Sequence, residues 1–397
     1  MKKFFFGVFL LSGFLFSGDA ETVGQAQAWG KKSNYLPSEI PSLKDKYKDH
    51  FLIGTVISVG EFPDPKAREI YEKHCSIVTL NPFYWEQIHP EVPFYPFHWG
   101  GLHPEEGVYY FDRADELMEY VSGLNLKVHG HPLLFGSLDP EWIFRDGDRP
   151  ISRDKLIERM KDHIHTVVGR YKGRINYWDV VNEPTADPFF NINMEASAIT
   201  DIYKKVPWYK IIGEEYVEMA LRFAHEADPD AKLFVNENNI FGPASNLKRR
   251  NFIKIIKNLL DKGAPLHGVG LQGHFGSDYP PLEDICKTIK IFSDMGLEVH
   301  ITELDMSTYS IARWVVPGLV PEHESYNARV ESRQRRRYKK LFEELRSCSD
   351  DVSAVIFWGI KDENSWLNTV PDKRTDWPLL FHGEYEPKKV FWDIMDF

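Results

Sequence analysis

The sequence predicts an α/β fold consisting of a single (β/α)8 TIM barrel. From residue 51 onward, eight short runs rich in β-branched and aliphatic residues recur, and each run ends in polar residues. Amphipathic segments with helical patterning separate these runs, which indicates parallel strands covered by helices on their outer face. Eight such strands are the number that closes a barrel. A chain of 397 residues is compatible with one such unit, because α/β barrels often exceed about 250 residues.

The predicted strands are short and nearly continuously apolar, as expected for strands that are buried on both faces. In chain order they cover Phe51–Ser58, Ile77–Phe83, Leu126–Phe135, Asn176–Glu183, Lys232–Asn239, Gly268–His274, Glu298–Asp305 and Ala354–Asp362. The amphipathic segments between them include Asp112–Ser122, Arg153–Tyr171, Glu214–Ala227, Leu247–Lys262, Leu282–Met295 and Val330–Cys348. Because no low-complexity linker or shift in composition divides the chain, we expect residues 21–397 to form one domain.

Residues 1–20 have the three-part plan of a secretory signal peptide. Lys2 and Lys3 precede an apolar run over residues 4–16, and small residues follow at a usual cleavage spacing before Ala20. We therefore expect cleavage after Ala20 and a secreted or periplasmic mature protein, with a retained N-terminal anchor as the alternative. No other stretch approaches about 18 apolar residues, so no membrane span is expected in the mature chain.

The charge balance and the cysteines argue against several partners and cofactors. The chain has 48 Lys and Arg against 59 Asp and Glu, a net charge of -11, which repels a phosphate backbone, so no nucleic-acid partner is expected. Cys75, Cys286 and Cys348 form no CxxC or Cys/His metal spacing, and no EF-hand loop is present. We expect neither a metal nor an organic cofactor, and at least one unpaired thiol unless a disulfide forms between chains.

Polar side chains collect where the predicted strands end. In a barrel of this kind the active site lies at the carboxyl ends of the strands. Each such side chain alone has an ordinary explanation as a strand cap, but a ring of amides, imidazoles and carboxylates on one face predicts a functional site. The ring consists of Asn81, His129, His131, Asn182, Glu183, Asn236, Glu237, Asn238, Asn239, Gln272, His274, Glu303, Asp305 and Asp362.

Two carboxylates in this ring indicate a reaction type. Glu183 ends the fourth predicted strand and Glu303 ends the seventh, and these two strands face each other across the mouth of the barrel. Converging carboxylates fit glycoside hydrolysis, in which one protonates the leaving oxygen while the other attacks the anomeric carbon. The alternative is that both are strand-end carboxylates bonded to loop backbone.

Four blocks in order resemble glycoside hydrolase family 10, whose best-known members are secreted endo-1,4-β-xylanases. Residues 178–184 read WDVVNEP, residues 268–274 read GVGLQGH and residues 302–305 read TELD. The fourth block is the Trp-Gly pair at 358–359, followed by Asp362 and by the Ser-Trp pair at 365–366. The resemblance spans residues 52–395, and it implies hydrolysis within a xylan chain by double displacement, with a polysaccharide as the partner.

The resemblance also implies roles for individual residues of the reacting centre. Glu183 is expected to be the acid/base and Glu303 the nucleophile of a retaining mechanism. An acid that works near neutral pH must keep its proton while the nucleophile stays ionised, and the environments of the two carboxylates are expected to differ accordingly. His274 and Asp305 are expected to orient Glu303, with Asp305 fixing the tautomer of the imidazole.

Five further residues match sugar-contacting positions of the family. Asn182 is expected to hold the sugar 2-hydroxyl through a bond that strengthens in the transition state. Asn81 and His131 match residues that line the sugar next to the scissile bond, and Gln272 matches one close to the catalytic pair. Trp366 is expected to stack on a sugar face, with a place in the core as the alternative.

Several departures from the family pattern leave the substrate open. Tyr84 stands where a lysine is usual, Phe135 where a tryptophan is usual, and Asn238 where an aromatic residue is usual. The loop over residues 86–106 is longer than expected and rich in aromatic and imidazole side chains. Another β-glycan, a decorated or mixed-linkage xylan or a different β-glycoside therefore remains an alternative substrate. A third hypothesis is a catalytically silent, carbohydrate-binding barrel.

Overall fold

Among the described residues, eight parallel strands form a central barrel. The computed structural model describes residues 40–57, 61–62, 64–80, 99–136, 139–186, 201–310, 325–368 and 374–397. In chain order the strands are β1 (Leu52–Ile57), β2 (Ile77–Leu80), β3 (Lys127–Gly130), β4 (Tyr177–Asn182), β5 (Lys232–Glu237), β6 (Gly268–Leu271), β7 (Glu298–Met306) and β8 (Ala354–Phe357).

The sheet closes on itself. Each strand pairs in parallel with the next one along the chain, from β1 to β8. Ala354 of β8 is in register with His300 of β7 on one side and with Leu52 of β1 on the other. The eight strands therefore form a closed barrel with helices between them, and the predicted (β/α)8 fold is confirmed.

A small group of side chains fills one layer of the barrel interior. Ile77, Tyr177, Phe234, Ala354 and Ile356 are buried and pack together as a cluster separate from the main core. They come from β2, β4, β5 and β8, which are not all neighbours in the sheet, so their side chains meet inside the barrel. Such filled layers make the barrel a packed core rather than a pore.

The helices cover the outside of the barrel with their apolar faces. In the 18-residue helix over 153–170, Leu156, Met160 and Ile164 recur at four-residue spacing and are buried. Ser152 caps this helix by accepting a hydrogen bond from the backbone N–H of Lys155. The helices of the described residues are α1 (Leu43–Tyr47), α2 (Pro65–His74), α3 (Trp99–Leu102), α4 (Asp112–Ser122), α5 (Arg153–Arg170), α6 (Pro207–Ile212), α7 (Tyr216–Ala227), α8 (Asn246–Asp261), α9 (Ile285–Ser293), α10 (Ala328–Ser347) and α11 (Lys389–Met395).

Several predicted strands extend too far toward their carboxyl ends. The third strand was expected to reach Phe135 but ends at Gly130, and the eighth ends at Phe357 rather than at Asp362. Pro132 has no N–H to donate to a neighbouring strand, and Gly359 has a positive φ of 133°, so neither continues the hydrogen-bond ladder. The polar residues beyond these points therefore lie in loops at the mouth.

The sulfur chemistry, which the sequence left open, is resolved for all three cysteines. Cys286 of α9 forms a disulfide with Cys348, which directly follows α10, and Cys75 is a buried free thiol. Within the described parts of the chain, no helix is long and apolar enough to cross a membrane. The proposed signal peptide, residues 1–20, lies outside the described residues.

Replacing Cys286 with serine should lower the free energy of unfolding by about 2–4 kcal/mol. The disulfide closes a loop with a sequence separation of 62 residues, and its loss returns conformational freedom to the unfolded chain. Urea unfolding followed by tryptophan fluorescence measures the change. The wild type in excess reductant should match the variant, and equal stability of oxidised and reduced wild type would contradict the prediction.

Candidate active site

Glu183 lies at the mouth of the barrel in an unusual backbone conformation. It directly follows β4 and has a φ of 53°, in the left-handed region that residues other than glycine rarely adopt. Its backbone N–H donates to the carbonyl oxygen of Asn236 on β5 at 2.8 Å, which helps to hold this conformation. Strained backbone of this kind concentrates at functional sites. The conformation fixes where the carboxyl group enters the mouth.

Glu303 lies within β7 and is bound through both carboxylate oxygens. Its Oε1 accepts a hydrogen bond from Asn236 Nδ2 at 2.7 Å, and its Oε2 lies 3.0 Å from His274 Nε2. The side chain is 4% exposed. Both oxygens of this buried carboxylate therefore have a polar partner, as a buried charged group requires.

His274 connects Glu303 to Asp305. Its Nδ1 lies 3.0 Å from Asp305 Oδ2, and Trp366 Nε1 donates to the same oxygen at 2.8 Å. Burial opposes the charged form of His274, but the neighbouring carboxylates of Asp305 and Glu303 raise its pKa to about 10. Each ring nitrogen of His274 thus lies beside a carboxylate oxygen, and the expected role of Asp305 in fixing the tautomer of the imidazole stays a prediction.

The two oxygens of Glu183 meet different partners. Gln272 Nε2 donates to Oε1 at 3.1 Å, and Lys204 Nζ lies 3.3 Å from Oε2. The Glu183 side chain is 16% exposed, four times the fraction of Glu303. The two carboxylates therefore occupy different environments, as a pair with separate acid and nucleophile roles requires.

An amide bridge runs between the two carboxylates. Asn236 Nδ2 donates to Asn182 Oδ1 at 2.9 Å as well as to Glu303, and Gln272 Nε2 lies 3.3 Å from the same Asn182 oxygen. Thr302 Oγ1 donates to Asn236 Oδ1 at 2.7 Å and thereby fixes the orientation of this amide. Sequence reasoning placed Asn236 in the polar ring but assigned it no role, although its position at the end of a buried strand was a signal.

His131 lies one residue beyond β3 and is anchored by Asp179. Its Nδ1 is hydrogen-bonded to Asp179 Oδ2 at 2.7 Å, and the other Asp179 oxygen lies 3.0 Å from His129 Nε2. Burial disfavours charge on His131, but Asp179 and the charges of Glu303 and Glu183 raise its pKa above the usual value. Sequence reasoning missed Asp179, whose imidazole partners lie far away in the chain.

Tryptophan rings join these groups into one site. The Trp358 ring centroid lies 5.5 Å from that of His131 and 6.1 Å from that of His274. Trp366 contacts His274 edge to face with centroids 5.0 Å apart. Most of the predicted site residues therefore come together, whereas Asn81 lies outside the described residues.

Two of the residues that depart from the usual family pattern, Phe135 and Asn238, lie within the described part of the chain. Phe135 lies beneath the ammonium of Lys204, 5.5 Å from the ring centroid. The side-chain oxygen of Asn238 accepts a hydrogen bond from Lys248, which also pairs with the buried Glu237 at 2.9 Å. Tyr84 and residues 86–98 of the long loop lie outside the described residues.

Comparison with known proteins identifies the family. The family model for glycosyl hydrolase family 10 matches residues 42–397. The chain belongs to this family. It is 38% identical over 361 residues to a β-1,4-xylanase of Dictyoglomus thermophilum, a match that covers 90% of this chain and 92% of that protein. It is 33% identical over 364 residues to endo-1,4-β-xylanase B of Paenibacillus barcinonensis, covering 91% of this chain and 99% of that one.

Solved structures of family 10 members have the same fold. The crystal structure of xylanase XynB from Paenibacillus barcinonensis, complexed with a conduramine derivative, matches with a TM-score of 0.79 at 32% identity. That match covers 90% of this chain and 99% of the other. Xylanase B from Clostridium stercorarium F9 matches with a TM-score of 0.77 at 34% identity, covering 90% of this chain and all of the other. The predicted family and the prediction of a glycoside hydrolase are confirmed.

Trp366→Phe should lower kcat/KM about tenfold. The substitution keeps an aromatic face but removes the indole N–H that donates to Asp305, and a hydrogen bond to a charged group contributes about 1.5–3 kcal/mol. Steady-state kinetics on a soluble substrate measure the effect. Trp392→Phe in the C-terminal helix is the matched control, and an unchanged kcat/KM in Trp366→Phe would contradict the assigned contact.

His274 should carry protons on both ring nitrogens at pH 8. Its pKa is raised from 6.5 to about 10, so the stability that this charge contributes is complete below pH 6.5 and is lost as the pH rises through 10. Nitrogen-15 NMR of labelled histidine measures both protonation and pKa. In Asp305→Asn the pKa of His274 should fall, and a neutral His274 at pH 8 in the wild type would contradict the prediction.

Proposed function

We propose that this family 10 protein is an endo-1,4-β-xylanase that cleaves β-1,4-xylosidic bonds within xylan and retains the anomeric configuration. The observation that carries the proposal is the pair Glu183 and Glu303, held in unlike environments at the barrel mouth and joined through the amides of Asn236, Asn182 and Gln272. Relatives at 33–38% identity that bear the name xylanase support the substrate.

In the first step, Glu303 attacks the anomeric carbon while the glycosidic bond breaks. Glu183 gives its proton to the departing oxygen, and a glycosyl ester forms on Glu303. The contacts with Asn236 and His274 hold the Glu303 carboxylate in a fixed orientation for this attack.

In the second step, Glu183 acts as a base. It takes a proton from water, the oxygen of that water attacks the anomeric carbon, and the bond to Glu303 breaks. Two inversions give net retention. Because Asn182 Oδ1 accepts from Asn236 and Gln272, its amide nitrogen is the end that we assign to the sugar 2-hydroxyl.

His131 is the second group that we assign to the sugar. Its Nδ1 is occupied by Asp179, and its Nε2 has no hydrogen-bond partner among the described residues. A buried imidazole nitrogen is stabilised when it finds a partner. A sugar hydroxyl next to the scissile bond supplies one.

We also propose that the protein is exported, either to the medium or to the periplasm, after removal of residues 1–20. The Cys286–Cys348 disulfide supports this location, because disulfides persist in oxidising compartments and are rare in the cytosol. N-terminal sequencing of the protein recovered from culture medium and from periplasmic extract tests both the location and cleavage after Ala20.

Glu303→Ala should lower kcat on xylan by more than about a thousandfold, because the attacking group is lost. Reducing-sugar release and product chromatography on plain xylan, arabinoxylan, mixed-linkage xylan and β-glucan measure the activity, and proton NMR of the first product reports the anomer. Glu298→Ala is a matched control, since Glu298 opens the same strand at the opposite end of the barrel and should leave kcat within about twofold.

Each outcome on this panel has a definite meaning. Internal cleavage of a xylan with release of the β-anomer supports the proposal. Silence on every xylan together with cleavage of β-glucan would overturn the substrate while keeping the mechanism. Absence of turnover on the whole panel would favour the silent, carbohydrate-binding barrel.

A further inference from the structure

Lys204 is held beside Glu183 by the backbone as well as by its side chain. The chain returns past β4 so that the N–H of Lys204 donates to the carbonyl oxygen of Pro184 at 2.7 Å. Next to this bond, Thr185 and Tyr203 form an antiparallel bridge. Lys204 therefore belongs to a small paired segment that begins directly after Glu183, and its side chain leaves the backbone at a fixed place.

The side chain of Lys204 is directed at Glu183. Its Nζ lies 3.3 Å from Glu183 Oε2, and the same ammonium lies over the ring of Phe135. Lys204 is 32% exposed and Glu183 is 16% exposed, so the pair is screened by solvent less than a surface pair. An ammonium that rests on an aromatic face is also restricted in direction. These features distinguish the contact from an ordinary surface ion pair.

We propose that Lys204 is a positioning residue for the acid/base, a role that rests on the function proposed above. It fixes Glu183 Oε2 while Gln272 fixes Oε1, and its positive charge stabilises the carboxylate that Glu183 becomes when it gives up its proton. Sequence reasoning did not single out Lys204, because it lies 21 residues from Glu183 in the chain.

The proton balance defines where this role acts. In the first step the proton of Glu183 moves to the glycosidic oxygen, the electron pair of the broken bond stays on that oxygen, and Glu183 is left with a negative charge beside Lys204. In the second step Glu183 recovers a proton from water. Lys204 should therefore affect the steps in which Glu183 changes its charge. Cleavage of a substrate whose leaving group departs without a proton should not depend on Lys204.

Two aryl β-xylobiosides separate this role from a general structural effect. The phenyl glycoside has a basic leaving group that needs the proton of Glu183, whereas the 2,4-dinitrophenyl glycoside departs without it. In Lys204→Met we expect kcat/KM for the phenyl substrate to fall about tenfold or more, because an acid that is no longer held in position protonates the leaving oxygen less effectively. For the dinitrophenyl substrate kcat/KM should stay within about twofold.

Matched variants sharpen the test. Lys204→Arg keeps the positive charge and should recover phenyl xylobioside hydrolysis to within about threefold of the wild type. Lys204→Gln keeps an N–H donor without the charge and, if Lys204→Met does not fold, provides the same comparison. Lys205→Met is the control, because the neighbouring Lys205 pairs with Asp201 at 2.7 Å and should leave both substrates unaffected. Thermal melting confirms that each variant is folded.

The results distinguish this inference from the function on which it rests. Equal losses on both substrates in Lys204→Met, or no loss on either, would overturn the role of Lys204. Glu183→Ala should show a larger difference between the two substrates than Lys204→Met. If Glu183→Ala shows no difference between the two substrates, the acid/base role of Glu183 is rejected, and the role of Lys204 is rejected with it. If Glu183→Ala shows the difference and Lys204→Met does not, only the role of Lys204 is rejected.

Discussion

The position of one amide, that of Asn236, constrains the whole catalytic mouth. Its nitrogen binds both Asn182 and Glu303, and its backbone carbonyl accepts from Glu183, so β5 ties together the ends of β4 and β7. The neighbouring strand must leave room for it: a Cβ added to Gly270 would lie 2.2 Å from Asn236 Oδ1. Barrel packing and carboxylate geometry therefore meet at Asn236, whose side-chain amide binds Glu303 and whose backbone carbonyl binds the N–H of Glu183.

Carboxylates at the mouth are bound by basic side chains. Asp179 is bound by two imidazoles, Glu303 and Asp305 share His274, and Lys248 pairs with the buried Glu237. Uncompensated charges in a buried site are strongly destabilising, whereas paired and hydrogen-bonded ones are tolerated. The site can thus concentrate several charged side chains within a packed barrel.

The sequence predicted much of this architecture because burial and strand polarity leave a clear pattern. Apolar runs that carry Glu183 and Glu303 toward their carboxyl ends indicated the barrel and led to the proposed reactive pair. A run of apolar residues indicates burial but does not show where the hydrogen bonds of a strand end. The third strand was therefore predicted to reach Phe135, beyond its actual end at Gly130. The contacts of Asp179 and Lys204 were missed because they join residues that lie far apart in the chain. The imidazoles that bind Asp179 lie at or just beyond the end of the preceding strand, and Lys204 lies 21 residues from Glu183.

The shared oxygen of Asp305 limits how the specificity of this enzyme can be altered. Trp366 is hydrogen-bonded to the carboxylate that binds His274, so a change of its side chain reaches Glu303, the proposed nucleophile, through only two intermediate residues. If Trp366 contacts the sugar as proposed, its redesign would therefore trade selectivity against reactivity. Asn238 already departs from the usual family residue, and its side-chain oxygen accepts a hydrogen bond from Lys248, so it is the better position from which to engineer a new substrate range.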